Sequence, residues 1–249
     1  MAITKIYKNP TVKQVIFQIQ FPNLFFLESK IPEIQLDIIS VFPQSALLVK
    51  SPIAIAIGNN PFPQQELEND AIAQKVWEFR NANGYELSVS TNSLSISSKL
   101  HKTYNNEGGD HRFREIIEFV LDIFGKHIKF PVISRLGLRY IDECPLPEKT
   151  TAKYSEYFNS ALNLSKNPIE NTNEVHLFLV KDVEDCKIIY QEHYMPQESP
   201  DVVVLDFDGY KQNVIFSECL AATDKLHCII SDEYERTINE PILKFMEGV

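Results

Sequence analysis

Apolar and polar residues alternate along two stretches of the chain, and each stretch predicts a β-strand that is buried on one face only. From Val12 to Phe21, the odd-numbered positions from Val15 onward are apolar, whereas the opposite face is mostly glutamine. From Ile133 to Asp142, Leu136 marks the apolar face. Because successive side chains of a strand point to opposite faces, this alternation packs one face against a core and leaves the other to solvent or a ligand.

The polar face of the second strand carries Arg135, Gly137 and Arg139. A glycine inside a strand is expected where another group approaches the backbone closely or where the sheet bends. A guanidinium group presents a fixed fork of donors that suits a carboxylate or a phosphate. The sequence therefore places this strand at the centre of the fold and of any site.

The remaining pattern predicts helices and antiparallel strands in the same order in both halves of the chain: strand, helix, three strands, helix. The predicted strands cover residues 12–21, 46–57, 76–80, 85–90, 94–100, 133–142, 174–181, 186–193 and 201–208, and the longer helices cover 110–124 and 217–238. Asp110 is predicted to cap the first of these helices, Gly125 to end it, and Pro145 to lie in a turn after the central strand.

This order predicts an α+β fold with an antiparallel sheet of about eight strands and helices on one face. Two pseudo-repeats, residues 1–129 and 130–249, would form one continuous domain that is saddle-like or helix-grip-like. Sequence identity between the halves is negligible, so element order alone supports the duplication.

Composition and charge limit the function classes. The chain has 249 residues, of which 44% are hydrophobic and 23% charged, as in ordinary globular proteins. A net charge of -10 argues against broad nucleic-acid binding and against anionic membranes, which need a basic surface. The four cysteines lie far apart, which excludes zinc-ribbon and thioredoxin motifs. Because no signal peptide or membrane-spanning run is present, we expect a cytoplasmic protein.

The two arginines have candidate partners on a later strand, where Asp206 and Asp208 share one face. One interpretation is an anion-binding site tuned by carboxylates. The other, which we favour, is a set of cross-strand ion pairs that fixes the strand register. The two aspartates alone are too few oxygen ligands for a divalent cation, and the arginines would repel it, so no metal site is predicted.

No catalytic residue or cofactor is predicted. His227 lies mid-helix among apolar residues, and no nucleophile is indicated within reach of it. A hydrogen bond from His227 to a sheet residue is therefore favoured over a role as general base. The chain also lacks the P-loop, dinucleotide-binding, nucleophile-elbow and zinc-protease motifs.

Several stretches together resemble a sporadically distributed family of uncharacterised prokaryotic proteins of about this length, with an R-x-G-x-R-Y-I strand as its most specific motif. The matching stretches are residues 7–12, 79–87, 135–141, 156–158, 205–210 and 226–227. The resemblance spans nearly the whole chain and implies an accessory gene, of which defence and toxin–antitoxin components are examples. It implies no activity. The long acidic loop Gly58 to Lys75 departs from the family pattern.

Together these features predict a non-enzymatic binding or regulatory protein with a protein partner. The expected ligand-binding residues are Gln18, Gln20, Arg135, Arg139, Asp206, Asp208 and His227. Gln14 is expected on the same surface as Gln18 and Gln20. The net negative charge favours a basic partner, and the loop Gly58 to Lys75 is expected to touch it. The alternative is an enzyme for a phosphorylated or carboxylated small molecule, with Arg135 and Arg139 as an anion clamp and Asp206 or His227 as base.

Overall fold

The computed structural model describes residues 6–50, 74–105, 112–130, 132–195 and 201–248. Over these ranges the chain forms nine strands and five α-helices. The strands are β1 (Val12–Gln20), β2 (Gln44–Lys50), β3 (Gln74–Arg80), β4 (Tyr85–Ser90), β5 (Ser93–Ser98), β6 (Ile133–Leu146), β7 (Val175–Val183), β8 (Cys186–Met195) and β9 (Asp201–Val214). The helices are α1 (Leu27–Ile38), α2 (Phe113–His127), α3 (Thr151–Tyr157), α4 (Cys219–Thr237) and α5 (Glu240–Glu247).

All nine strands belong to one antiparallel sheet in the order β2-β3-β4-β5-β1-β6-β9-β8-β7. The two strands with the clearest alternation, β1 and β6, lie side by side at its centre, with Gln18 opposite Gly137 and Ile16 opposite Arg139. The predicted α+β class and antiparallel sheet are therefore confirmed, with nine strands in place of about eight.

One face of the sheet is packed against helices. Phe17 and Leu138 are completely buried on this face. The ring of Phe113 in α2 stacks on Tyr85, and Tyr140 bonds to His227 of α4. The opposite face, which we call the open face, carries Gln18, Arg139 and Asp208, all only partly buried.

The helix α3 is tied to the packed face by a buried carboxylate. Glu192 on β8 is fully buried and accepts hydrogen bonds from the hydroxyls of Tyr154, Ser160 and Tyr190. Three hydroxyl donors replace the hydrogen bonds with water that the carboxyl group loses on burial.

Two predicted boundaries are wrong for identifiable reasons. The helix α2 continues past Gly125 to His127, because Gly125 serves close packing: a Cβ there would lie 2.9 Å from the ring of Phe216. The strand β6 continues through Pro145, which pairs with Val202 in place of forming a turn. The predicted cap at Asp110 lies outside the described residues.

None of the described helices has the length and apolar character needed to cross a membrane.

Candidate functional site

On the open face, Arg135 and Arg139 each bind a carboxylate of the neighbouring strand β9. Nη2 of Arg135 donates to both oxygens of Asp208 at 2.8 and 2.7 Å. Nε of Arg139 donates to Asp206 at 2.8 Å, and its Nη2 binds the second oxygen of that carboxylate. The predicted cross-strand ion pairs are therefore confirmed, and we call these four residues the Arg/Asp network.

The network is offset from the strand register. Arg139 lies directly opposite Asp208 but binds Asp206, while Arg135 reaches along the strand to Asp208. The hydrogen bond with Asp206 raises the pKa of Arg139 above its usual value. Burial raises the pKa of Asp208 even though Arg135 and Arg139 lower it. Each positive charge of the network thus has a carboxylate bound to it.

The glycine between the arginines makes this arrangement possible. A Cβ at Gly137 would lie 2.5 Å from Nη1 of Arg135, far inside van der Waals contact. The guanidinium of Arg135 therefore lies across the bare glycine backbone, with its Cζ 4.6 Å from the ring centroid of Tyr210 on the neighbouring strand. The R-x-G-x-R spacing is explained by this close approach.

The predicted glutamines line the same face beside the network. Nε2 of Gln20 donates to Oε1 of Gln18 at 3.2 Å, and the two lie opposite Arg135 and Gly137 in the register. Residues 58–73 of the loop expected to contact a partner lie outside the described residues, and Gln74 and Lys75 begin β3.

An apolar sheet edge continues the open face beyond the network. In the register, Asp208 lies opposite Ile189, and Ile189 lies opposite Val180 of the edge strand β7. Likewise, Asp206 lies opposite Gln191, and Gln191 lies opposite Phe178 of β7. Sequence reasoning missed this edge, although the run Phe178-Leu179-Val180 departs from polar–apolar alternation.

The structure separates His227 from the other predicted site residues. Its Nδ1 lies 3.1 Å from the hydroxyl of Tyr140, so the predicted hydrogen bond to a sheet residue is confirmed. Because Tyr140 and Arg139 are successive residues of β6, their side chains lie on opposite faces of the sheet. His227 and Arg139 therefore do not share one site.

On the packed face, His227 instead lines a cavity between the sheet and α4, together with His101, Tyr104 and Asp142. These residues were not predicted as a site, since they come from three separate parts of the chain. One signal was available for Asp142: it lies in phase with Leu136 on the apolar face of its strand. A carboxylate in that phase points into the core.

Replacing Arg139 by glutamine is expected to destabilise the fold by about 2 kcal/mol, because Asp206 loses a charged partner while it stays mostly buried. The effect falls below the 3–5 kcal/mol of a fully buried pair because the Arg139 side chain is 38% exposed. Thermal denaturation should show a drop of about 4–8 °C. Lys244→Gln, at an exposed ion pair with Glu240, should change nothing measurable. An unchanged melting temperature for Arg139→Gln would point to a purely functional role.

In the described part of the chain, no group of three or more His, Cys, Asp or Glu side chains is placed to hold a metal ion. Compared with known proteins, the chain matches no family model, no curated protein and no solved structure.

Proposed function

We propose that this chain is a non-enzymatic binding protein that takes up an extended segment of a protein partner along β7, beside the open face. The observation that carries the proposal is the exposed apolar run on this edge strand. Phe178 is 54% and Val180 52% exposed, and Leu179 between them is also exposed. Three consecutive exposed apolar residues present apolar surface on both faces of the sheet edge.

Such an edge is unusual for a protein that acts alone. An edge strand has unpaired backbone donors and acceptors, and proteins normally blunt it with charges, prolines or bulges. The nine residues of β7 are long enough to pair with a strand of another chain, as in β-augmentation. Phe178 and Val180 would supply the apolar contacts. The polar surroundings would come from Gln191 and the Arg/Asp network.

The other edge strand, β2, also exposes three consecutive apolar residues, Leu47, Leu48 and Val49. It ends at Lys50, next to residues 51–73, which the structure does not describe. The edge of β7 is followed directly by a described hairpin to β8 and is therefore the better-defined docking surface.

Charge favours a different, basic protein over a second copy of this chain. Two copies that each carry a net charge of -10 repel one another, whereas a basic partner is attracted. The hairpin after β7 contributes Asp182 and Glu184, both largely exposed although each has a lysine partner. We therefore assign as occupant a strand with alternating apolar residues and basic flanks.

The enzyme alternative has less support. An anion clamp needs free guanidinium groups, but Arg135 and Arg139 are already bound to carboxylates. The candidate base His227 lies on the opposite face of the sheet. Ser231 lines the cavity with His227, yet no hydrogen bond joins the two side chains, as a nucleophile and its base would require.

The test compares capture of proteins from cells of the source organism by the tagged chain and two variants. Val180→Lys should weaken association at least tenfold, because a charge enters the centre of the contact. The matched variant Leu48→Lys, at the exposed apolar edge of β2, should bind like the parent chain. Association should weaken at high salt, and amides of β7 should gain protection from hydrogen exchange in the complex.

Three results would contradict the proposal. The first is equal loss in both lysine variants. The second is a stable dimer of the chain by light scattering that Val180→Lys dissolves, which would make a second copy the occupant. The third is the lack of any captured protein, together with turnover of a phosphorylated metabolite that requires Arg139.

We also infer that the two halves, residues 1–129 and 130–249, are pseudo-repeats within one saddle-like domain. In support, β1 and β6 are central neighbours, and each is followed by a helix, a meander and a longer helix. The first half carries β2 as an additional strand. Membership in the sporadic prokaryotic family, an accessory or defence role and a cytoplasmic location remain part of this proposal; the R-x-G-x-R-Y-I strand supports the first of them.

A further inference from the structure

The cavity on the packed face has the properties of a second binding site, independent of the β7 edge. It lies between β6 and α4 and has a volume of about 80 Å³. A water molecule needs about 10–15 Å³ in this measure, so the space fits a molecule of about six non-hydrogen atoms. Its walls include Tyr104, Tyr140, Asp142, His227, Ser231 and Tyr234.

Asp142 brings a carboxyl group into this cavity without a basic partner. The residue is 2% exposed, and its Oδ1 accepts a hydrogen bond of 2.8 Å from Thr11. The Thr11 hydroxyl in turn lies 2.7 Å from that of Tyr234. No ion pair joins Asp142 to a lysine, arginine or histidine in the described ranges. A buried carboxylate is costly unless a counter-charge or donors compensate it.

The aromatic walls add no positive charge. The ring of Tyr104 stacks on His227 with centroids 4.1 Å apart, and Tyr140 lies beside the same imidazole. Burial lowers the pKa of His101 and that of His227 to about 4, so both rings are neutral at pH 7. Lys102 reaches the cavity lining but is exposed, where solvent and salt screen its charge.

One polar group beside the cavity lacks a partner. Nδ1 of His101, a residue only 9% exposed, has no hydrogen-bond partner in the described part of the chain. Ser231, also a buried residue, lines the same cavity. Buried polar groups without a partner are rare in folded proteins, and one beside an empty volume is typical of a ligand site.

We propose that this cavity binds a small organic cation, an amine with a short apolar tail, whose ammonium group pairs with Asp142. The apolar tail packs against the tyrosine rings. The faces of these rings also attract the ammonium group. The ammonium supplies the counter-charge that Asp142 lacks, and its remaining hydrogens reach acceptors such as the Ser231 hydroxyl. An anion is rejected, since it would meet the Asp142 carboxylate at short range.

The probe is n-butylammonium chloride, followed by amide chemical shifts in solution. Saturable binding is expected with a Kd in the range of about 1 mM, as suits five non-hydrogen atoms. Butanol and butyrate should bind at least tenfold more weakly. Asp142→Asn should weaken butylammonium binding at least tenfold, whereas the matched variant Asp182→Asn, at an exposed carboxylate, should not.

A second readout protects the test against a folding defect in Asp142→Asn. Binding of butylammonium to the unmodified chain should tighten as the pH rises from 6 to 8, because the carboxylate form of Asp142 is the one that pairs with it. Ser231→Ala should weaken binding by a smaller factor. Equal binding of butanol and butylammonium, affinity that is independent of pH, or no saturable butylammonium binding at 100 mM would each overturn the proposal.

Discussion

Acidification from pH 7 to pH 4 is expected to destabilise the protein by about 3 kcal/mol for each of two histidines, the buried His101 and the partly buried His227. Burial is the main cause of their lowered pKa values of about 4, against 6.5 in an unfolded chain. A charge on His227 further disfavours a charge on His101, whereas Asp224 acts in the opposite direction on His227.

The direction follows from proton uptake. Between pH 6.5 and pH 4 the unfolded chain binds a proton on each imidazole, and the folded protein does not. Protons therefore stabilise the unfolded state, and the free energy of unfolding falls with the pH. The stability that the neutral histidines preserve is fully present above pH 6.5 and is lost towards pH 4.

Urea denaturation of His101→Phe at several pH values isolates one histidine. Phenylalanine keeps the edge contacts with Phe113 and Tyr140 and removes the unpartnered Nδ1. The variant should match or exceed the parent stability at pH 7 and exceed it by about 3 kcal/mol at pH 4. His176→Phe, at an exposed histidine of β7, is the control and should follow the parent curve. A constant difference between His101→Phe and the parent across this range would show that His101 titrates normally.

The fold was largely predictable because its strands repeat a simple pattern. The alternation around Val15 and Leu136 reflects a sheet with one packed face. This period of two is a local property of a strand and does not depend on which strands are its neighbours. The mistaken boundaries had causes outside the local sequence. Gly125 is helical because Phe216, far along the chain, packs against it. Pro145 stays in a strand because β9 is long enough to continue the pairing.

The candidate sites were predictable to different degrees for the same reason. The Arg/Asp network follows from residues two or four apart on adjacent strands, so face and charge sufficed to propose it. The cavity joins His101 from the segment after β5, Asp142 from β6 and His227 from α4. Only the tertiary fold brings these together. The edge position of β7 likewise depends on sheet order, which alternation does not specify.

Between pH 4 and pH 8, the ionisation of Asp142 is expected to lower the free energy of unfolding by about 4 kcal/mol. The two histidines act in the opposite direction, since they raise the free energy of unfolding as the pH rises. Burial is the main reason that its pKa rises to about 7 from 3.8; the hydrogen bond from Thr11 lowers it, and Asp206 raises it. In this range the unfolded chain has already lost the proton that folded Asp142 retains. Each further pH unit therefore favours unfolding until the folded carboxyl also ionises, near pH 7.

Asp142→Asn reveals this contribution as a difference between two stability curves. Asparagine keeps an oxygen that accepts from Thr11 but cannot ionise, so the variant should gain on the parent chain steadily from pH 4 to pH 7 and level off above pH 8. Below pH 6.5 the stability of the parent chain rises with pH, because the contribution of the two histidines is larger than the opposite contribution of Asp142. The contribution of Asp142 is therefore visible only in the difference between the variant and the parent chain. Asp182→Asn, at an exposed ion pair, should give a nearly flat difference. A flat difference for Asp142→Asn as well would mean that the buried carboxyl is already compensated, which would remove the reason for an ammonium ligand in the cavity.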